Sequence, residues 1–315
     1  KDQCTLGMLG VATANCVAWG HSLASRPEGS TFFVVVLMVV SYGQLLWVRR
    51  GRQLPPGLRG CKFGTLEYLR RVAASGEGIK RCQDLPPDAF GHPHKARYVL
   101  TVSHRWLDRY TCDVATDTYP QGTRLQTMVN MLDDYFSLKG LGKGKGFFRR
   151  MQRFSMAVTG GRDVVLFFDF MSLPQETLDD DGSVKPRTPE EQALFAQCLP
   201  NMGALYSMLP VLVCEHVTPG FRSYLESGWC FTEVATAWLG RQLTKYSSTC
   251  GAAQWLQEKT HQTKNDWTEF AKFLDEQVRE KHFLREDDRA EVRNILGGFL
   301  TKNRLVRALQ SKSRD

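Results

Sequence analysis

None of the nine cysteines forms a C-x-x-C pair or has a histidine at zinc-ligand spacing, which excludes a zinc ribbon or a thioredoxin-type redox motif. The chain also has no N-x-S/T acceptor. With an odd cysteine count, that argues against a secreted disulfide scaffold and for reduced, buried thiols. No G-x-S-x-G elbow is present, so the usual serine hydrolase signature is missing. "GLGKGKGF" at 140–147 fails as a phosphate loop, because Gly146 stands where Ser or Thr must follow the lysine and the glycine spacing is one residue short. "DDDG" at 179–182 fails as a calcium loop, since its last ligand position falls on Thr188 rather than an acid. His92 and His94 lack partners at metal spacing, so no metal site is expected. No sheet face interleaves aromatic and basic residues and no recognition helix is evident, so nucleic acid is not an expected partner. There is no internal repeat.

What is present is ample material for a core: 42% of 315 residues are hydrophobic, which excludes a disordered chain. The formal charge of +8 is compatible with anionic partners and equally with an ordinary basic surface. The chain begins at Lys1 rather than Met, as expected of a processed or partial chain.

Residues 31–48, "TFFVVVLMVVSYGQLLWV", carry no charge and are just long enough to cross a hydrocarbon core of roughly 30 Å as a helix. Arg49, Arg50, Arg52 and Arg59 follow, and this cationic flank puts the remainder in the cytosol if the segment spans a membrane. A buried strand and helix of a soluble domain is the competing reading. "GRQLPPGLRG" then reads as a linker.

From residue 96 the pattern alternates. "RYVLTVSHRW" (97–106), "DVVLFFDFMSLPQ" (163–175) and "PVLVCEHV" (210–217) read as buried strands. Between them, Leu125, Met128, Val129, Leu132 and Phe136 repeat at helical spacing. Thr188 with Pro189 and following acids marks another helix start, and Pro200 is expected to break that helix. "GWCFTEVATAWLGRQL" is the next helix, and a charged helical tail follows with Trp267, Phe270, Phe273 and Leu274 on one face. Strands alternating with helices predict an α/β fold with a parallel sheet.

In such a sheet, ligands bind beyond the carboxyl ends of the strands. Ser103, His104, Arg105, Trp106 and Asp108 leave the first strand there, and Asp169, Ser172 and Gln175 leave the second. A bland alternative pairs Arg105 with Asp169. On the last helix Trp229 and Glu233 are four residues apart and share a face beside Cys230. A carboxylate against that aromatic wall would be poorly solvated and suited to accept sugar hydroxyls or face positive charge developing at a glycosidic carbon. By spacing alone, a surface salt bridge from Glu233 to Arg241 is the simpler reading. Lys139, Lys143, Lys145, Arg149, Arg150 and Arg153 form a basic loop, 139–153, able to touch anionic lipid or phosphate, or simply solvated.

In order, "SHRW", "FFDFMSLPQ", "EEQALFAQCLPNMGALYSMLPVLV" and "SGWCFTE" resemble the motifs of TIR-like domains, especially the fungal heterokaryon-incompatibility (HET) branch. "RCQDLPPDAF" and "FLREDDRAEVRNIL" are also similar to flanks of large protist proteins that carry this core. The resemblance implies a three-layer, flavodoxin-like core over 96–245. An N-terminal segment (1–60) with its hydrophobic helix, a linker and short helix (61–95) and a C-terminal helical extension (246–315) would surround it. It further implies that Glu233 supports cleavage of the nicotinamide–ribose bond of NAD, with no further cofactor. Trp229 and Cys230 would frame Glu233, and Ser103, His104, Arg105, Trp106, Asp108 and Asp169 would line the nucleotide side. "SHRWLD" departs from the usual TIR loop, and a long acidic insertion follows Gln175. Three readings stay open: a membrane-tethered signalling NAD hydrolase or cyclase, a non-catalytic module of the same fold that self-associates, and a structural subunit of a membrane complex.

Overall fold

The computed structural model describes residues 54–137, 161–263 and 266–312. The apolar segment 31–48 and the basic loop 139–153 lie outside the described residues. Among the described residues no helix is long and apolar enough to cross a membrane.

Five strands form a mixed sheet in the order β2-β1-β4-β3-β7. β3 (Tyr98–His104) runs parallel to both neighbours, β4 (Val164–Phe168) and β7 (Val211–Cys214). β1 (Phe63–Thr65) pairs antiparallel with β4 on one side and with β2 (Phe90–Gly91) on the other. The sheet is therefore parallel only across β4, β3 and β7. The segment 61–95, expected as a linker and short helix, supplies two of its strands as well as the helix Leu66–Ala74.

Alternate residues of each parallel strand enter opposite cores, as the two-residue side-chain period requires. Val99, Val165, Phe167, Val211 and Val213 pack to one side. Leu100, Val102, Leu166, Phe168 and Leu212 pack to the other, under α1 (Leu66–Ala74) and α2 (Thr123–Phe136). Burial on both faces explains why these strands read as unbroken apolar runs rather than as alternating ones.

The second strand is shorter than its apolar run. The Ser172 hydroxyl accepts the Phe168 N–H at 3.0 Å and the Asp169 carboxylate accepts the Phe170 N–H at 2.7 Å. Those side chains take backbone donors from the ladder, so the chain turns into a single helical turn, α3 (Asp169–Ser172). A small hairpin, β5 (Thr177–Leu178) and β6 (Val184–Lys185), occupies the acidic insertion. α4 (Pro189–Cys198) then starts with a full capping box between Thr188 and Glu191. Pro200 lies in a 3₁₀ turn that separates α4 from α5 (Met202–Met208), as expected of a residue without an N–H.

α6 (Gly228–Leu239) covers the sheet beside β3. The expected extension beyond 246 is part of the same body. α7 (Gly251–Gln262), α8 (Trp267–Glu280) and α9 (Asp288–Lys312) bury Leu256, Phe270, Leu274, Val278 and Val292 in the core that holds α6. Phe231 of α6 meets Trp255 edge-on at 6.1 Å, and Lys281 lies 4.9 Å over the Phe231 ring. Gly228 is obligatory here: a Cβ at that position would stand 1.9 Å from the Phe283 ring.

Candidate functional site

The carboxyl ends of β3 and β4, the start of α6 and the segment 281–288 enclose a cavity of ≈ 300 Å³. Its position follows from the topology, because residues leaving adjacent parallel strands emerge on one edge of the sheet. His104, Arg105 and Trp106 come from β3, Asp169 from β4, and Trp229, Cys230 and Glu233 from α6.

Glu233 forms part of the floor and is 5% exposed. Its carboxylate accepts a hydrogen bond from the Ser103 hydroxyl at 2.5 Å, and the same hydroxyl also pairs with the Tyr224 phenol. The hydroxyl of Tyr206, fully buried on α5, donates to the Val102 carbonyl at 3.3 Å. Among the described residues no Lys or Arg lies within salt-bridge distance of Glu233, so the salt bridge to Arg241 is not formed. Burial holds the Glu233 carboxyl well above the usual carboxylate range, and the nearby Asp169 charge adds to this. The Ser103 hydrogen bond opposes the shift without cancelling it, and the buried Tyr206 hydroxyl acts in the same direction.

Asp169 organises the other half of the floor. It accepts from Trp106 Nε1 at 2.9 Å and from His104 Nε2 at 2.9 Å. His104 Nδ1 faces the Arg124 guanidinium at 3.2 Å. Since arginine only donates, Nδ1 is the acceptor and the ring proton sits on Nε2, pointing at Asp169. Burial depresses the His104 pKa, opposed by Asp169, which keeps the ring in this neutral form. Arg124, 2% exposed on α2, also binds the Arg105 and Cys112 carbonyls and pairs with Asp113 at 3.1 Å. Asp169 is thus served by His104 and Trp106, and the alternative Arg105–Asp169 pair does not occur.

Arg105 is 5% exposed, and its guanidinium donates to the Ser223 carbonyl. Among the described residues it has no carboxylate within salt-bridge distance. Burial lowers the Arg105 pKa, and the Glu226 charge opposes that shift from beyond salt-bridge distance.

At the mouth, Glu176 is shared by three arginines: Arg109 at 2.5 Å, Arg187 at 3.4 Å and Arg285 at 3.9 Å. Arg187 is fixed further by the Pro174 carbonyl and lies 3.6 Å over the Phe195 ring. The opposite wall is stitched to α6. Gly228 N donates to the His282 carbonyl at 2.9 Å, His282 N to the Glu226 carbonyl at 2.8 Å, and Trp229 Nε1 to Asp288 at 2.9 Å. His282 is held below its ordinary pKa by burial and then by Arg222 and Arg105.

The residues singled out from sequence are therefore brought together, except Asp108 and Ser172, whose hydroxyl is turned to the Phe168 N–H. Ser103 sits beneath the cavity on Glu233, and Cys230 lines it with its thiol on the His104 carbonyl at 3.3 Å. Asp108 does not line it. Its carboxylate accepts the Tyr110 and Thr111 N–H groups, both at 2.8 Å, and so closes the turn that follows β3. Sequence reasoning missed Tyr206, Tyr224, Arg124 and the 281–288 wall. Only the "YSM" of the third motif carried any signal for Tyr206. Among the described residues no cluster of three or more His, Cys, Asp or Glu is arranged to hold a metal ion.

Compared with protein-family models, curated proteins and solved structures, the chain matches none.

Proposed function

We propose that this chain is a TIR/HET-like signalling domain with a flavodoxin-like core, tethered to a membrane through residues 31–48 and facing the cytosol. Its strand-end cavity cleaves the nicotinamide–ribose bond of NAD. The observation that carries this reading is Glu233: a buried acid on the cavity floor, held by the Ser103 hydroxyl and, among the described residues, with no Lys or Arg within salt-bridge distance. An acid kept only for stability at such a site would be replaced at little cost, because burying it without a counter-ion is unfavourable.

The chemistry follows from the environment. The substrate ring is a cation, and its approach favours the ionised form of Glu233, offsetting burial. The carboxylate then accepts ribose hydroxyls and faces the positive charge that spreads to the anomeric carbon as the C–N bond breaks. The bonding pair leaves with nicotinamide, water oxygen bonds to the anomeric carbon, and the water proton goes to solvent. Trp229 and Trp106 flank the cavity with apolar surface, and Asp169, fixed by His104 and Trp106, adds negative potential near Glu233.

Glu233→Gln keeps an acceptor for Ser103 and removes the charge. Purified protein incubated with NAD is expected to release nicotinamide, and the variant to lose about 100- to 1,000-fold in turnover. Wild-type rates in a correctly folded Glu233→Gln protein would exclude this mechanism. A protein that releases no nicotinamide and whose self-association survives Glu233→Gln would instead support the scaffold reading.

A further inference from the structure

The segment between α8 and α9 belongs to no part of the expected α/β core, yet it forms one wall of the cavity. We propose that residues 281–288 are a ligand-binding element, and that Arg285 together with Arg105 holds the phosphate of a phosphate ester. This rests on reading the cavity as a ligand site and is independent of whether a bond is cleaved there.

The half-buried carboxylates of the cavity all have donors: Asp169 has His104 and Trp106, Asp288 has Trp229, and Glu176 has its arginines. The cations are not balanced in the same way. Arg105 is buried, its guanidinium meets the Ser223 carbonyl as its one hydrogen-bond acceptor among the described residues, and the Glu226 charge that acts on it stays beyond salt-bridge distance. Glu176 offers one negative charge to three guanidiniums, and Arg285 holds it least closely, at 3.9 Å with 42% of its side chain exposed. Arg285 is therefore free to turn to a second anion at little cost, whereas Arg187 is clamped by Pro174 and Phe195. Of the other acids at the mouth, Asp287 is exposed to solvent.

An anionic phosphate between Arg105 and Arg285 supplies a close counter-charge to both, and guanidinium matches phosphate oxygens in two-point geometry. The wall is rigid enough to present it. The Ser227–His282 bridge, the Phe283 ring packed on Gly228 and the Trp229–Asp288 bond fix the segment at both ends. Phe195, Trp229 and Phe283 leave apolar surface for the remainder of the ester.

Titration calorimetry of the whole chain with ADP and with adenosine tests this. ADP is expected to bind at least about 10-fold tighter than adenosine, since a charge-assisted contact to phosphate is worth about that factor. Arg285→Ala, at an exposed position, should weaken ADP by about 5- to 10-fold and leave adenosine unchanged; Arg105→Gln should weaken ADP further. If Arg105→Gln fails to fold, Arg285→Ala decides alone. Equal affinity for ADP and adenosine, or an Arg285→Ala protein that binds ADP like the wild type, overturns the proposal. ADP binding retained in Glu233→Gln, with or without turnover in the wild type, supports the phosphate site and leaves the cleavage reading to its own test.

Discussion

If Glu233 is protonated in the folded chain, replacing it with glutamine should stabilise the protein, and the gain should grow with pH. In the unfolded chain Glu233 titrates near the ordinary value of about 4.3, whereas in the fold burial and Asp169 raise its pKa well above that. Between the two values the folded state holds one more proton than the unfolded state, so the stability of the wild type falls as pH rises. That contribution is fully present below the unfolded pKa and is lost on passing through the folded one. Glutamine does not titrate. The difference in unfolding free energy, Glu233→Gln minus wild type, should therefore increase by about 1.4 kcal/mol per pH unit across this window. His104 also has a shifted pKa, in the opposite sense, but it is common to both proteins and cancels in the difference. Urea unfolding at a series of pH values between 5 and 8 measures the slope directly. Parallel stability profiles for the two proteins would show that Glu233 ionises normally, and the argument for a strained acid on the cavity floor would fall with them.

Two further substitutions probe how the cavity is built. Gly228→Ala should cost about 1–3 kcal/mol, because its Cβ would stand 1.9 Å from the Phe283 ring and push the 281–288 wall outward; a thermal melt within 1 °C of wild type would contradict that packing. Thr188→Ala removes the hydroxyl that accepts the Glu191 N–H at 3.2 Å and should cost about 1 kcal/mol in denaturant unfolding, while leaving the cavity residues in place.

The fold was legible where one physical cause dominates. Strands buried on both faces must be apolar throughout, and Val164–Phe168 and Val211–Cys214 announce themselves for that reason. Thr188, Pro189 and Pro200 act through local backbone chemistry, so the start and break of α4 needed no tertiary information. β1 and β2 were illegible for the opposite reason. At three and two residues they carry no periodicity, and they exist only because β4 offers a free edge.

The site divides along the same line. Topology alone puts Ser103–Trp106 and Asp169 on one edge, so these were foreseeable; the direction in which each side chain turns was not. Asp108 is only four residues beyond the end of β3, yet two nearby N–H groups compete for its carboxylate and close a turn. Arg105 and Asp169 carry opposite charges and share the cavity without pairing, because His104 and Trp106 take the carboxylate from nearer the sheet. The 281–288 wall lies some 50 residues beyond Glu233 in a stretch whose charge pattern describes only an exposed helix. Its place depends on Gly228, the one residue in "SGWCFTE" without a Cβ, which admits the Phe283 ring against the first turn of α6. The same heptapeptide thus supplies the buried acid and the notch that seats the opposite wall. A change at the notch should reach the acid's environment without altering a single atom of the carboxyl group.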